Sequence, residues 1–193
     1  MTIYDPWRDL IAEPLSRDHL VQVYRDDRVL VEAVSLFTSA ALGRNEAVIL
    51  VVKRQHAKAL EQRLEDDGFD VKTLKSWGQL QSLDAEEVLS RFMVEGTPDE
   101  SRFKAAMREV VGSVRGSGRF PNVRVYGEMV DLLWRDNLKA ATRLEELWND
   151  VIQEHSISLF CAYCLDAKGS EERVFPPALR NLHTHVVPVE ACA

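Results

Sequence analysis

Six consecutive apolar residues, Ala47-Val48-Ile49-Leu50-Val51-Val52, constrain the fold of this chain more than any other feature. The run is too short for a typical helix, is rich in β-branched residues, and lacks the alternation of a strand with one wet face. It reads as a strand covered on both faces, which calls for helices above and below a largely parallel sheet. The rest of the chain supplies the parts. Leu20–Tyr24, Phe69–Leu74, Val123–Tyr126 and Ile157–Tyr163 are further strand candidates, and His185–Val187 is a short closing one. Between them, Leu30, Ala33, Val34, Phe37 and Ala41 share one helical face, with Gly43 as the stop. Ala57, Leu60 and Leu64 before Gly68 make a second such face, Phe103, Met107, Val110 and Val114 a third, and Leu144, Trp148 and Val151 a fourth.

Two places carry helix-start signatures. Asp84 has Glu87 three residues on, and Thr97-Pro98-Asp99-Glu100 offers a capping threonine, a proline at the first helical position and a glutamate at the third. Gly112–Gly118 reads as a flexible loop, and Gly127 as the turn from a strand into a helix bearing Met129, Leu132 and Leu133. Strand and helix alternate nearly throughout, so the expected class is α/β: a mostly parallel sheet flanked by helices on both faces. Residues 1–18, with two prolines, are expected to form an irregular arm, and residues 19–193 a single domain.

Charge narrows the functions. The formal net charge is -7, which argues against nucleic-acid and anionic-membrane partners, since phosphate binding relies on clustered Lys and Arg. A composition of 46% hydrophobic and 28% charged residues is that of a globular protein, not a disordered one. There is no basic leader with an apolar core, and no apolar run near the roughly 20 residues of a membrane span. Three cysteines, Cys161, Cys164 and Cys192, make no secreted disulfide framework. The expected location is the cytoplasm.

In open parallel sheets ligands bind beyond the carboxyl ends of the strands. That edge nominates Tyr24-Arg25-Asp26, Lys53-Arg54, Tyr126-Gly127-Glu128 and Tyr163-Cys164-Leu165-Asp166. The turn after the first strand, Arg25-Asp26-Asp27-Arg28, is where a glycine-rich phosphate cradle would belong. It has no glycine and two carboxylates, which would repel phosphate. Glu128 either orients a ligand or serves as a helix-start carboxylate on free amides. Cys161-x-x-Cys164 suggests zinc or redox chemistry, with His183 and His185 as further ligands. Residues three apart on a strand point to opposite faces, however, so buried thiols are the favoured reading and no metal is assigned. His19, just before the first strand, faces either the sheet end or the surface.

Several segments together resemble a known family. His19–Tyr24 and Leu36–Glu46 look like the opening of a MEDS domain, the methanogen/methylotroph sensory domain. The resemblance continues through Gly78-Gln79-Leu80, Thr97-Pro98-Asp99 and Arg102-Phe103. It is most specific at Tyr126–Val130, Leu144–Asn149 and Leu159–Tyr163, and it closes at His185–Pro188. It implies a RecA/KaiC-like three-layer sandwich that has lost its phosphate loop. It also implies a sensor of small molecules, with hydrocarbon derivatives as a suggested class. Members of the family are often joined to histidine-kinase or DNA-binding output domains. This sequence carries none, so the signal is expected to pass to a separate partner such as a histidine kinase or transcription regulator. Cys164 stands where the family pattern suggests proline.

The resulting expectation is a non-catalytic sensory domain, without cofactor, that binds a small molecule at the carboxyl edge of the sheet. His19, Tyr24, Arg25, Lys53, Tyr126, Glu128, Cys161 and Tyr163 are its candidate ligand-binding residues. Two alternatives stay open: a protein-binding or homo-oligomeric scaffold with a filled pocket, and a residual nucleotide-binding ATPase-like protein.

Overall fold

The computed structural model describes residues 6–116, 118–165 and 174–187. Ser117, Asp166, Pro188 and Cys192, which enter the sequence reading, lie outside these residues, as do residues 1–5. Sixteen helices and strands run in the order α1 (Pro6–Ala12), β1 (His19–Tyr24), α2 (Asp27–Gly43), β2 (Ala47–Val52), α3 (Arg54–Asp66), α4 (Val71–Ser76), β3 (Leu80–Asp84), α5 (Ala85–Ser90), β4 (Met93–Val94), β5 (Thr97–Pro98), α6 (Glu100–Arg115), β6 (Val123–Gly127), α7 (Leu138–His155), β7 (Ser158–Cys164), α8 (Pro177–Arg180) and β8 (His185–Val187). A 3-10 turn, Met129–Leu132, follows β6.

Six strands form one sheet in the order β3-β2-β6-β7-β1-β8, and every pairing is parallel. The double-faced burial read from Ala47–Val52 is present. Ala47, Ile49 and Val51 join the core beneath α5, α6 and α7, while Val48, Leu50 and Val52 join the core beneath α1, α2, α3 and α4. The other central strands divide the same way: Leu159, Cys161 and Tyr163 face α7, and Phe160 and Ala162 face α2. The fold is therefore an α/β three-layer sandwich.

Helix starts are set by short polar side chains that capture free amides. Asp26 accepts from the Arg28 amide at 2.8 Å, Asp84 from Glu87 at 3.0 Å and Asp99 from Arg102 at 2.9 Å. Four local expectations change. Phe69–Leu74 is not a strand, because Asp70 binds both the amide and the hydroxyl of Thr73 and begins α4; the strand beside β2 is Leu80–Asp84. Thr97 and Pro98 do not open a helix but pair antiparallel with Val94 and Met93, leaving Asp99 as the cap. Gly112 sits inside α6, which runs on to Arg115 before stopping at Gly116. Finally, the amino-terminal arm is helical over Pro6–Ala12, where Ile11 is buried and Arg124 donates to the Ala12 carbonyl at 2.8 Å.

Arg124 also pairs with Glu46 at 2.5 Å and lies over the Phe37 ring, which in turn packs on Phe160. Phe37 thus bridges α2 to the sheet with no exposed surface. Phe37→Ala is expected to cost about 3–5 kcal/mol of stability, as buried aromatic truncations do, measured by urea unfolding.

Candidate functional site

Helices after β1 and β2 pack on one face of the sheet, and those after β6 and β7 on the other. The carboxyl edge between β2 and β6 is therefore a topological switch point, where loops diverge and a crevice opens. Glu128 sits there, fully buried. Its carboxylate accepts from the Lys53 amide at 2.7 Å and from His56 Nδ1–H at 2.6 Å. It makes no capping bond to the 3-10 turn it precedes, so the helix-start reading does not hold. Asp131 is the companion acid. It ion-pairs with Lys53 Nζ and accepts from the Trp134 indole at 2.9 Å and the Cys164 amide at 2.8 Å.

The carboxyl edge is thus partly filled by its own side chains, and open space begins one layer out. A groove of about 470 Å3 lies between the amino-terminal half of α2 and the length of α3, lined by residues that include Asp27, Arg28, Val31, Glu32, Ala59 and Arg63, with His56 as its inner wall. This is within the usual range for small-molecule sites, roughly 300–1,000 Å3. A smaller cavity of about 60 Å3 lies at the amino edge, beside Glu46 and Arg124.

His56 links groove to core. Its Nε2 lies 3.3 Å from Asp27 Oδ1, so the ring spans two carboxylates. Burial opposes its charge, but the hydrogen bond and proximity of Glu128, with Asp27 behind, hold its pKa above the ordinary value. Tyr24 packs edge-on against His56, and burial raises its phenol pKa, helped by Asp131 and Glu128. Tyr126, on the same face, is fully buried with a hydroxyl that makes no hydrogen bond, and burial raises it too. Arg25 is exposed just past β1 and lies outside the groove lining.

The remaining candidates are elsewhere. His19 opens β1 at its amino end and is buried against α7, so it cannot belong to the carboxyl edge. Its Nε2 lies 3.5 Å from Cys161 Sγ and 3.3 Å from Glu145 Oε2. Tyr163 donates to the other Glu145 oxygen, and His183 Nε2 lies 3.2 Å from it. Burial penalises the Glu145 carboxylate, yet the facing His183 and His19 outweigh it and keep the carboxyl well below the usual range. Burial, reinforced by His183, depresses His19, whereas burial and Glu145 raise the Cys161 thiol. Burial, helped by Glu145, likewise raises the Tyr163 phenol.

Among the described residues, one group of His, Cys and acidic side chains converges closely enough to hold a metal ion: His19, Glu145, Cys161 and His183. Cys164 is not in it. It points into the α2 side of the sheet, as strand alternation requires, and β7 runs unbroken up to it as its last residue. His185 is also apart, 40% exposed and 3.7 Å from Asp18.

Sequence reasoning thus merged two sites into one and missed His56, Asp131, Glu145 and Asn149. A signal for Glu145 and Asn149 exists. They are one turn apart and flank Trp148, on the buried side of an amphipathic helix.

The profile of the MEDS family, the methanogen/methylotroph, DcmR sensory domain, matches residues 18–181. The chain belongs to this family. No curated protein matches its sequence significantly. Among solved structures, it is similar to a KaiC-like protein from the hyperthermophilic archaeon Pyrococcus horikoshii OT3, with TM-score 0.57 and 14% identity over 90% of this chain and 72% of that one. At that identity the likeness concerns the fold, which is RecA/KaiC-like. MEDS membership points to a sensory or signalling role. No helix among the described residues is long and apolar enough to cross a membrane.

With its pKa raised, His56 contributes stability that is fully present below its unfolded value of about 6.5 and is lost as pH rises through the folded value. NMR titration of the His56 ring should give a midpoint above 6.5 that falls in Glu128→Gln. The stability gap between wild type and His56→Gln should shrink as pH is raised from about 6 towards 9.

Proposed function

We propose that this MEDS domain is a non-catalytic sensory module that binds a small amphipathic molecule in the groove between α2 and α3 and passes the signal to a separate regulatory protein. The groove carries the reading: it combines an apolar patch from Val31 and Ala59 with basic Arg28, Arg63 and His56 and acidic Asp27 and Glu32. Glu128 acts from behind, fixing the His56 ring and favouring its charged form. A ligand wedged between α2 and α3 shifts those helices relative to the sheet, and a partner kinase or transcription regulator reads their outer faces. A triphosphate is disfavoured because the Asp26 carboxylate occupies the amide-rich start of α2, and beside Arg28 its pKa falls to about 2. One observation favours the scaffold reading. The Glu128 carboxylate is fully occupied by protein partners, so any ligand meets His56 first.

A thermal-shift screen with small carboxylates, amines and halogenated hydrocarbons should find a saturable stabiliser, worth about 2.7 kcal/mol at hundredfold excess over Kd. Ala59→Trp, a substitution at an exposed groove position, should abolish the shift and leave the fold intact. A full shift in Ala59→Trp would move the ligand elsewhere, and no stabiliser at all would favour the scaffold. Calorimetry with ATP and magnesium should show neither heat nor phosphate release.

A further inference from the structure

We propose that His19, Glu145, Cys161 and His183 form a buried binding site for a divalent transition-metal ion, zinc being the best match, on the sheet face opposite the groove. The four donor atoms come from distant parts of the chain: the start of β1, the middle of α7, the middle of β7 and the turn before β8. They nevertheless lie within 4.8 Å of one another. A tetrahedral ion with bonds of about 2.0–2.3 Å holds neighbouring donors roughly 3.3–3.8 Å apart. Around Glu145 Oε2, the separations His19 Nε2–Oε2 of 3.3 Å, His19 Nε2–Cys161 Sγ of 3.5 Å and Cys161 Sγ–Oε2 of 3.7 Å match that spacing, and His183 Nε2 approaches the carboxylate from its Oε1 side at 3.2 Å.

The outer contacts fix both rings for ligation. Asn149 donates its amide N–H to the Leu182 carbonyl at 3.0 Å, which turns its Oδ1 towards His19 Nδ1 at 2.9 Å. His183 Nδ1 faces the Leu179 carbonyl at 2.8 Å. Both oxygens can only accept, so each ring keeps its proton on Nδ1 and, when neutral, presents the Nε2 lone pair to the centre. Histidines that bind metals are oriented in this manner, by an acceptor on the other ring nitrogen. Without a cation, two lone pairs would face the oxygens of one carboxylate. His183 Nε2 makes no hydrogen bond despite its 3.2 Å approach to Glu145, and its side chain is wholly buried. It is aimed into the shared space.

Charge and chemistry agree. On binding, the Cys161 thiol gives its proton to solvent, and thiolate plus carboxylate neutralise the divalent ion. The buried centre then carries no net charge, which avoids the cost of an isolated interior ion. Two imidazoles, a thiolate and a carboxylate select a borderline-soft ion over magnesium or calcium. The site clips the segment between α8 and β8 onto α7 and the sheet.

The test uses the full chain, stripped with a chelator, reloaded with zinc and desalted. Elemental analysis should give one zinc per chain. Cobalt(II) should produce tetrahedral visible bands with a thiolate charge-transfer band that is lost in Cys161→Ser and kept in Cys164→Ser. Asn149→Leu, which touches no metal, should weaken zinc binding by about 10–100-fold. Reloaded wild-type protein that is folded by circular dichroism yet holds no zinc above buffer level would overturn the site. So would cobalt spectra unchanged in Cys161→Ser. Neither result depends on the α2–α3 groove, because Ala59→Trp should leave metal binding intact.

Discussion

The structure depends on the burial of one parallel sheet on both faces. A strand such as β2, with no exposed side chain in either direction, cannot remain folded unless helices cover it above and below. Once that is satisfied, the chain must cross from face to face, and the loops gather at the strand ends. The carboxyl-edge crevice is a by-product of this packing. The fold did not have to be built around a ligand to possess a place for one.

The two polar clusters illustrate opposite uses of that architecture. At the crevice, Glu128 and Asp131 tie loops together through amides, an indole and a lysine, with the open groove one layer outside. On the α7 side, His19, Glu145, Cys161 and His183 lie inside the core, where solvent cannot satisfy them. The sheet separates the α2–α3 groove from this cluster. Val21, Val23 and Val51 face one side, and Tyr24, Tyr126 and Val52 the other. Side chains also connect the two clusters directly: the Trp134 indole donates to Asp131 and packs edge-on against Tyr163, whose hydroxyl donates to Glu145.

Features with a local physical cause were legible in the sequence. The β-branched run of β2, the apolar faces of α2, α3, α6 and α7, and the Asp84 cap all follow from side-chain spacing. The misread segments are those where a single local contact or a distant partner decides. Asp70 captures Thr73 and turns an alternating stretch into helix, and Thr97–Pro98 pairs with a neighbouring segment. The arm is helical because Ile11 finds a core and Arg124 holds Ala12. For the candidate site, the edge residues Lys53 and Glu128 followed from topology. His19 and Cys161 were flagged but not joined, because nothing in local spacing shows that a carboxylate flanking the α7 apolar stripe meets both. Strand alternation did separate Cys161 from Cys164 correctly.

The strand order carries one more consequence. β1 lies between β7 and β8, which follow it far along the chain. The contact between His19 and Cys161 spans 142 residues, and that between His19 and Thr184 spans 165. Such non-local closure slows folding. During synthesis β1 must wait, with both edges bare, until β7 and β8 have been made. Until then β2, β3 and β6 can pair with one another, but the sheet stays incomplete.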